Sequence, residues 1–230
     1  MSLSRTALLA FPVTMMLALA ACDDAPPPPK ATVTDAPKGS AAAHATAAKT
    51  GAPATTGAAP AAAGAETLAI DAASSSVGFE GAKVTGKHPG KFNTFSGSVM
   101  LAGGKPSGVK VEIDLASVKS DSEKLDGHLK APDFFDVAKF PQATFTSTGI
   151  KDGGDKGATH TITGELDLHG VKKTISFPAT LNVTGDVVTG TADFTINRKD
   201  FGIVYPGMAN DLIKDDVAIK LSIKAPRKKG

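Results

Sequence analysis

Between Val109 and Ala225 apolar side chains return at every second position, and that period restricts the fold more than any other feature of the chain. Val109, Val111, Ile113 and Leu115 alternate with Lys110, Glu112 and Asp114. Ile162, Leu166 and Leu168 alternate with Thr163, Glu165 and Asp167, and Phe194 and Ile196 with Asp193, Thr195 and Asn197. Val217, Ile219, Leu221 and Ile223 alternate with Ala218, Lys220, Ser222 and Lys224. Successive side chains of a strand point to opposite faces, so each run has one dry face and one wet face. A wet face implies an antiparallel sheet, because parallel sheets are covered by helices on both sides. Turn signals separate the runs at Gly103-Gly104-Lys105-Pro106, Asp152-Gly153-Gly154-Asp155, His169-Gly170 and Gly185-Asp186. About eight to ten strands follow from this spacing.

Two stretches interrupt the alternation. Asp121 to Lys130 suits a short helix capped by Ser120, with Glu123 completing a capping box, and Pro132-Asp133-Phe134-Phe135 reads as one tight turn. Arg198-Lys199-Asp200-Phe201-Gly202 is the second break. Many strands with one polar face must hide both the apolar face and the sheet edges. A sandwich does the first and a closed barrel does both. A barrel of about eight strands is either filled by its own side chains or encloses one small ligand.

The N-terminal part has a different character. Arg5 precedes an apolar run from Ala7 to Ala21, the layout of a secretory signal and too short for a comfortable membrane span. Leu19-Ala20-Ala21-Cys22 resembles the bacterial lipobox, in which the cysteine is acylated and becomes the mature N-terminus. An exported lipoprotein on the periplasmic face of the inner or outer membrane is therefore expected, with membrane attachment through Cys22. Cys22 is the single cysteine, so no intrachain disulfide forms and no thiol pair is available for redox or zinc chemistry. Residues 1–21 are read as the signal peptide and 22–65 as a disordered linker rich in Ala, Pro, Gly and Thr, almost devoid of large apolar groups. One folded domain is expected over 66–226, followed by a basic tail, 227–230. The formal charge is only +2, and no basic stripe with interleaved aromatics argues for nucleic acid.

Three segments of the body carry a family resemblance. The run from Asp126 to Phe145, with His128-Leu129, Asp133-Phe134-Phe135-Asp136, Lys139-Phe140-Pro141 and Thr144-Phe145, resembles the signature of the YceI-like family. Thr163 to Val171 is similar to its Gly-x-Leu-x-x-x-Gly-Val strand and turn, and Asn197 to Ile203 to its Arg-x-Asp-Phe-Gly-Ile. The resemblance covers about Leu68 to Ala225. It implies an all-β, closed, antiparallel, lipocalin-like barrel with one or two short helices, an apolar lumen, periplasmic export, and in some members a bound isoprenoid lipid such as a quinone. Relatives often open with an aromatic and Asp-x-x-His-Ser; here Thr67 to Ser75 has Leu68 and lacks the histidine. Lys87-His88-Pro89-Gly90 is read as a loop tip.

If the lumen holds a lipid, inward apolar side chains line it: Val77, Phe79, Val99, Leu101, Val111, Ile113, Phe145, Ile162, Leu166, Phe177, Phe194, Ile196 and Ile219. The same residues also suit a plain packed core. Burial of apolar surface contributes about 25 cal/mol per Å², so a lipid tail hiding a few hundred Å² gains several kcal/mol before ordering costs. Phe134 and Phe135 are placed to plug one barrel end or line its mouth. Arg198 either reaches a polar head group or, the favoured reading, pairs with Asp126, Asp133 or Asp200 and pins the turn. His128 is the polar candidate near an opening. Catalysis has little support: no closely spaced histidine pair, no Gly-x-Ser-x-Gly elbow and no phosphate loop occur. No metal and no cofactor beyond a bound lipid is expected. An outer-membrane barrel is disfavoured by the absence of Trp and the single Tyr. A lipid carrier, a filled-barrel interaction module and a hydrolase using a lumen His or carboxylate are the competing functions; a homodimer stays open.

Overall fold

The computed structural model describes residues 27–36 and 65–227. Cys22, the signal segment and most of the expected linker lie outside them, as do the last three residues of the basic tail. The described chain is all-β with one α-helix. In order, the strands are β1 (Thr32–Asp35), β2 (Ala65–Ala69), β3 (Ser76–Lys83), β4 (Gly86–Phe92), β5 (Phe95–Ala102), β6 (Lys105–Asp114) and β7 (Val118–Ser120). Helix α1 (Glu123–Lys130) follows, then β8 (Gln142–Asp152), β9 (His160–Leu168), β10 (Val171–Thr184) and β11 (Val187–Asn197). The chain ends with β12 (Gly207–Met208), β13 (Asp211–Leu212) and β14 (Asp216–Pro226).

Twelve strands form one sheet in the order β2-β5-β6-β8-β9-β10-β11-β14-β3-β4-β7, with β1 beside β10; β12 and β13 make a separate pair. The sheet curls into a half-barrel. Its curvature is clearest where β2 and β3 follow each other in the chain yet pair at opposite ends of the order, β2 with β5 and β3 with β14. A kink at Ala72–Ser74 joins them. The Asp71 carboxylate accepts from the Ser74 hydroxyl and, as a lesser contribution, from the Ala73 N–H, which holds its pKa below the usual value. The Asp71 N–H donates across to the Lys224 carbonyl of β14 at 2.8 Å. At the β9–β10 turn, His169 and Gly170 have φ of 55° and 73°, the left-handed pair that matches a two-residue hairpin to strand twist.

Nine strands are seven residues or longer, within the expected count; the short β1, β2, β7, β12 and β13 exceed it. Two- to five-residue pairings are too brief to leave a periodic signal. The helix begins two residues later than expected, and Ser122, not Ser120, takes the cap position without a side-chain cap bond. Ser120 instead donates its N–H and its hydroxyl to Asp126, at 2.5 and 2.7 Å. Lys87 to Gly90, expected as a loop tip, is part of β4, paired with β3. Arg227, expected in the tail, is held by the fold: its N–H donates to the Asp186 carbonyl at 2.7 Å and its guanidinium pairs with Glu66 at 2.9 Å.

The largest departure concerns the expected linker. Residues 27–36 fall within it, yet Thr32–Asp35 pair with Ser176–Lys173 of β10, and Ala31 is 5% exposed within a buried cluster. Its composition offers too few large apolar groups to build a core of its own. It becomes ordered because β10 offers it an unfilled edge.

Candidate functional site

Inside the curl, β5 and β6 contribute Val99, Val109 and Val111, β8 and β9 contribute Phe145 and Ile162, and β10 contributes Phe177, Ala179 and Leu181. Opposite them stand Val188, Gly190, Thr191 and Ala192 of β11 and Leu221 and Ile223 of β14. Thr191 is the one lining residue with a polar side chain. Alternation aims these groups inward from successive strands, except for exposed Thr191, which falls out of step between Gly190 and Ala192. The space they enclose is about 60 Å³. Small-molecule pockets run to roughly 300–1,000 Å³. The interior is apolar and nearly filled.

A second, larger cavity of about 520 Å³ opens on the outside of the sheet, where β10 and β11 separate. Pro27 to Pro29 and the Asp155–Ala158 turn form one side, with Asp193 and Lys220 on the other. It shares Ala179, Thr191, Ala192 and Leu221 with the interior space.

Among the residues expected to line a lumen, Val99, Val111, Phe145, Ile162 and Phe177 line the interior space. Val77 and Leu101 are buried beside them, and Ile113 packs against that group. Phe194 and Ile196 belong to a second buried cluster, with Leu166 and Ile219 packed on it. The Phe177 and Phe194 rings stack with centroids 4.1 Å apart and planes 13° from parallel. Phe79, Phe134 and Phe135 lie elsewhere, in the cluster around α1: Phe135 meets Phe79 and Phe92, and Phe134 meets His128 and Tyr205. These rings pack that end of the molecule and line neither cavity. His128 lies 3.6 Å from the Asp133 carboxylate and edge-on to Phe134 and Tyr205.

Arg198 pins its turn as expected, but through partners other than those expected. Its guanidinium is buried, donates to the Ile203 carbonyl at 2.8 Å and the Lys214 carbonyl at 3.2 Å, and pairs with Asp215 at 3.2 Å. It pins the Arg198–Phe201 turn to the segment before β14 instead of facing either cavity, and its acidic partner is Asp215 rather than Asp126, Asp133 or Asp200. Lys199 is the main cause of the lowered Asp215 pKa, with Arg198 contributing. Asp126 is lowered to about 2, first by the Ser120 hydroxyl, then by the Ser120 N–H and Lys119. Neither carboxylate lines a cavity. Among the described residues no group of three or more His, Cys, Asp or Glu gathers as a metal site would require.

Val109, Leu181, Val188, Leu221 and Ile223 line the interior without having been singled out. Leu221 and Ile223 share the alternation of Ile219, and Val109 that of Val111, so the period carried the signal. Ala179, Gly190 and Ala192 gave none, because small residues look alike in core and loop.

A curled, antiparallel all-β half-barrel with an apolar interior is the class of fold that this chain presents. The YceI-like domain family matches residues 68–225, and the chain belongs to that family. A UPF0312 protein of Pseudomonas putida is 37% identical over 139 residues, 57% of this chain and 71% of that protein. Among solved structures, BcnA of Burkholderia cenocepacia superposes with a TM-score of 0.60 at 26% identity, over 68% of this chain and 99% of that one. A polyisoprenoid binding domain from Saccharophagus degradans gives 0.57 at 18% identity, over 70% of this chain and 98% of that one.

Proposed function

We propose that this protein is a non-catalytic binding or carrier protein that holds an isoprenoid lipid, quinone-like or polyprenyl, within a barrel closed around its interior. The observation that carries the reading is the lining: fourteen residues from seven strands border one space, and the Thr191 hydroxyl is the only polar side chain among them. Such a surface offers no partner to a polar guest and rewards an apolar one through burial. The relation to a domain that binds polyisoprenoids supports the ligand class. The Leu19-to-Cys22 sequence supports an exported lipoprotein, tethered by acylated Cys22 to the periplasmic side of a membrane.

The test is organic extraction of protein purified from a membrane-containing host, followed by mass spectrometry. A stoichiometric prenyl lipid is the expected result. Lipid-free protein that also excludes added ubiquinone would sink the proposal. The small interior volume favours a second reading, an interaction module with a filled barrel. In that case the extract is clean and unlabelled quinone leaves the melting temperature unchanged.

A further inference from the structure

The sheet has a built-in gap. β10 and β11 pair from Thr184 and Val187 only as far as Thr180 and Thr191, although both strands continue. The cause is legible in β10. Leu181 directs its N–H and carbonyl at Thr159, on the β9 side. Backbone groups of a strand alternate in direction, so the position of Pro178 should direct its N–H toward β11. Proline has no N–H to give, and the ladder stops just short of it. Beneath the gap the Phe177 and Phe194 rings stack across from strand to strand.

The N-terminal segment fills this gap. On one side Thr32 to Asp35 run antiparallel to β10. On the other, the Ala31 N–H donates to the Thr195 carbonyl at 2.8 Å and the Thr195 N–H donates to the Pro29 carbonyl at 2.9 Å, a parallel bridge to β11. Lys30 pairs with Asp216 at 2.8 Å and Asp35 with Lys173 at 2.5 Å. The hold is light: Ala31 is the one buried side chain of residues 27–36, and the ion pairs are largely exposed, where such pairs contribute little. Where the inserted segment ends, the 520 Å³ cavity begins, and it shares lining residues with the interior.

We propose that the gap between β10 and β11 is a lateral portal through which an apolar chain reaches the interior, and that residues 29–35 are the strand that shuts it. The proposal rests on the lipid-binding reading above. It accounts for an interior whose lining is apolar apart from Thr191 yet holds only about 60 Å³. With the strand inserted, β10 and β11 are tied at a fixed spacing and the bore stays closed down. Withdrawal of the strand frees both strands to move apart where no ladder joins them. The portal residues sort accordingly: Ala179, Ala192 and Leu221 present an apolar path, and Asp193 and Lys220 at the outer rim suit a polar head group.

A reversible lock tests this. Thr34 and Thr174 are directly paired, with Thr34 exposed, so Thr34→Cys/Thr174→Cys places two thiols across an antiparallel pair within disulfide reach. The full chain carries Cys22→Ser to remove its own thiol. Uptake of ubiquinone from phosphatidylcholine vesicles is followed in oxidised and reduced protein. The portal predicts at least tenfold slower uptake when oxidised, recovered on reduction in the same preparation, and faster uptake than the parent for Ala31→Glu, whose charge resists burial in the gap. Equal rates in the oxidised and reduced forms overturn the portal and leave lipid binding intact. Quinone retained by neither form, nor by the parent, overturns the lipid reading and the portal together.

Discussion

At Gly164 in β9 the strands approach so closely that an added Cβ would lie 2.5 Å from the Thr146 carbonyl oxygen and 2.5 Å from the Phe145 ring. The ring could turn, but the backbone oxygen belongs to the β8–β9 ladder and cannot retreat without breaking it. Gly164→Ala is therefore expected to cost about 1–3 kcal/mol in urea denaturation, with the m-value unchanged. Asp126 makes a different kind of prediction. Its carboxylate is ionised in a nest of Ser120 and Lys119 donors, and its folded pKa of about 2 lies below the ordinary 3.8. A group with a depressed folded pKa contributes stability above its unfolded pKa and loses it as pH falls through the folded one. The parent protein should lose stability between about pH 4 and pH 2, while Asp126→Asn is less stable at neutral pH but flatter across that window. Denaturation midpoints at stepped pH measure both effects; an equally steep decline in the variant would show that other carboxylates govern the acid limb.

At the scale of elements, the gap between β10 and β11 sets up two contrasting tests. The Phe177–Phe194 stack spans the gap without a backbone ladder beside it, so the rings carry a larger share of the coupling than a cross-strand pair normally does. A double-mutant cycle of Phe177→Leu and Phe194→Leu should return a coupling energy of about 0.5–1.5 kcal/mol. Pro178→Thr returns the missing N–H. The β10–β11 ladder is then free to extend past Thr180, in competition with β1, and amide exchange at Ala31 and Val33 should quicken relative to the parent. Unchanged exchange there would mean that Pro178 is not what halts the ladder. The short strands illustrate why elements were unevenly visible from sequence. β8, β9, β11 and β14 each run to nine residues or more and show their period plainly. β1 has one apolar side chain, Val33, and no period at all; its strand state is imposed by the exposed edge of β10.

For the molecule as a whole, ligand binding and stability are linked. A lipid present at about a hundred times its Kd adds about 2.7 kcal/mol to the folded state, which for a domain of this size raises Tm by roughly 5–10 °C. Scanning calorimetry with and without ubiquinone in mild detergent reads this directly, and an unmoved Tm would favour the filled barrel. The all-β class, the antiparallel pairing, the hairpin turns and the apolar character of the interior were all determined by the sequence alone. Each follows from local rules: side-chain direction reverses at every residue of a strand, and glycine or a left-handed turn permits reversal. The tertiary structure alone decided how much room the interior leaves, that Arg198 turns to Asp215, and that a segment poor in large apolar groups inserts beside β10. Those outcomes depend on which groups meet across the fold, as when one absent N–H at Pro178 leaves an edge for residues far away in the chain to fill.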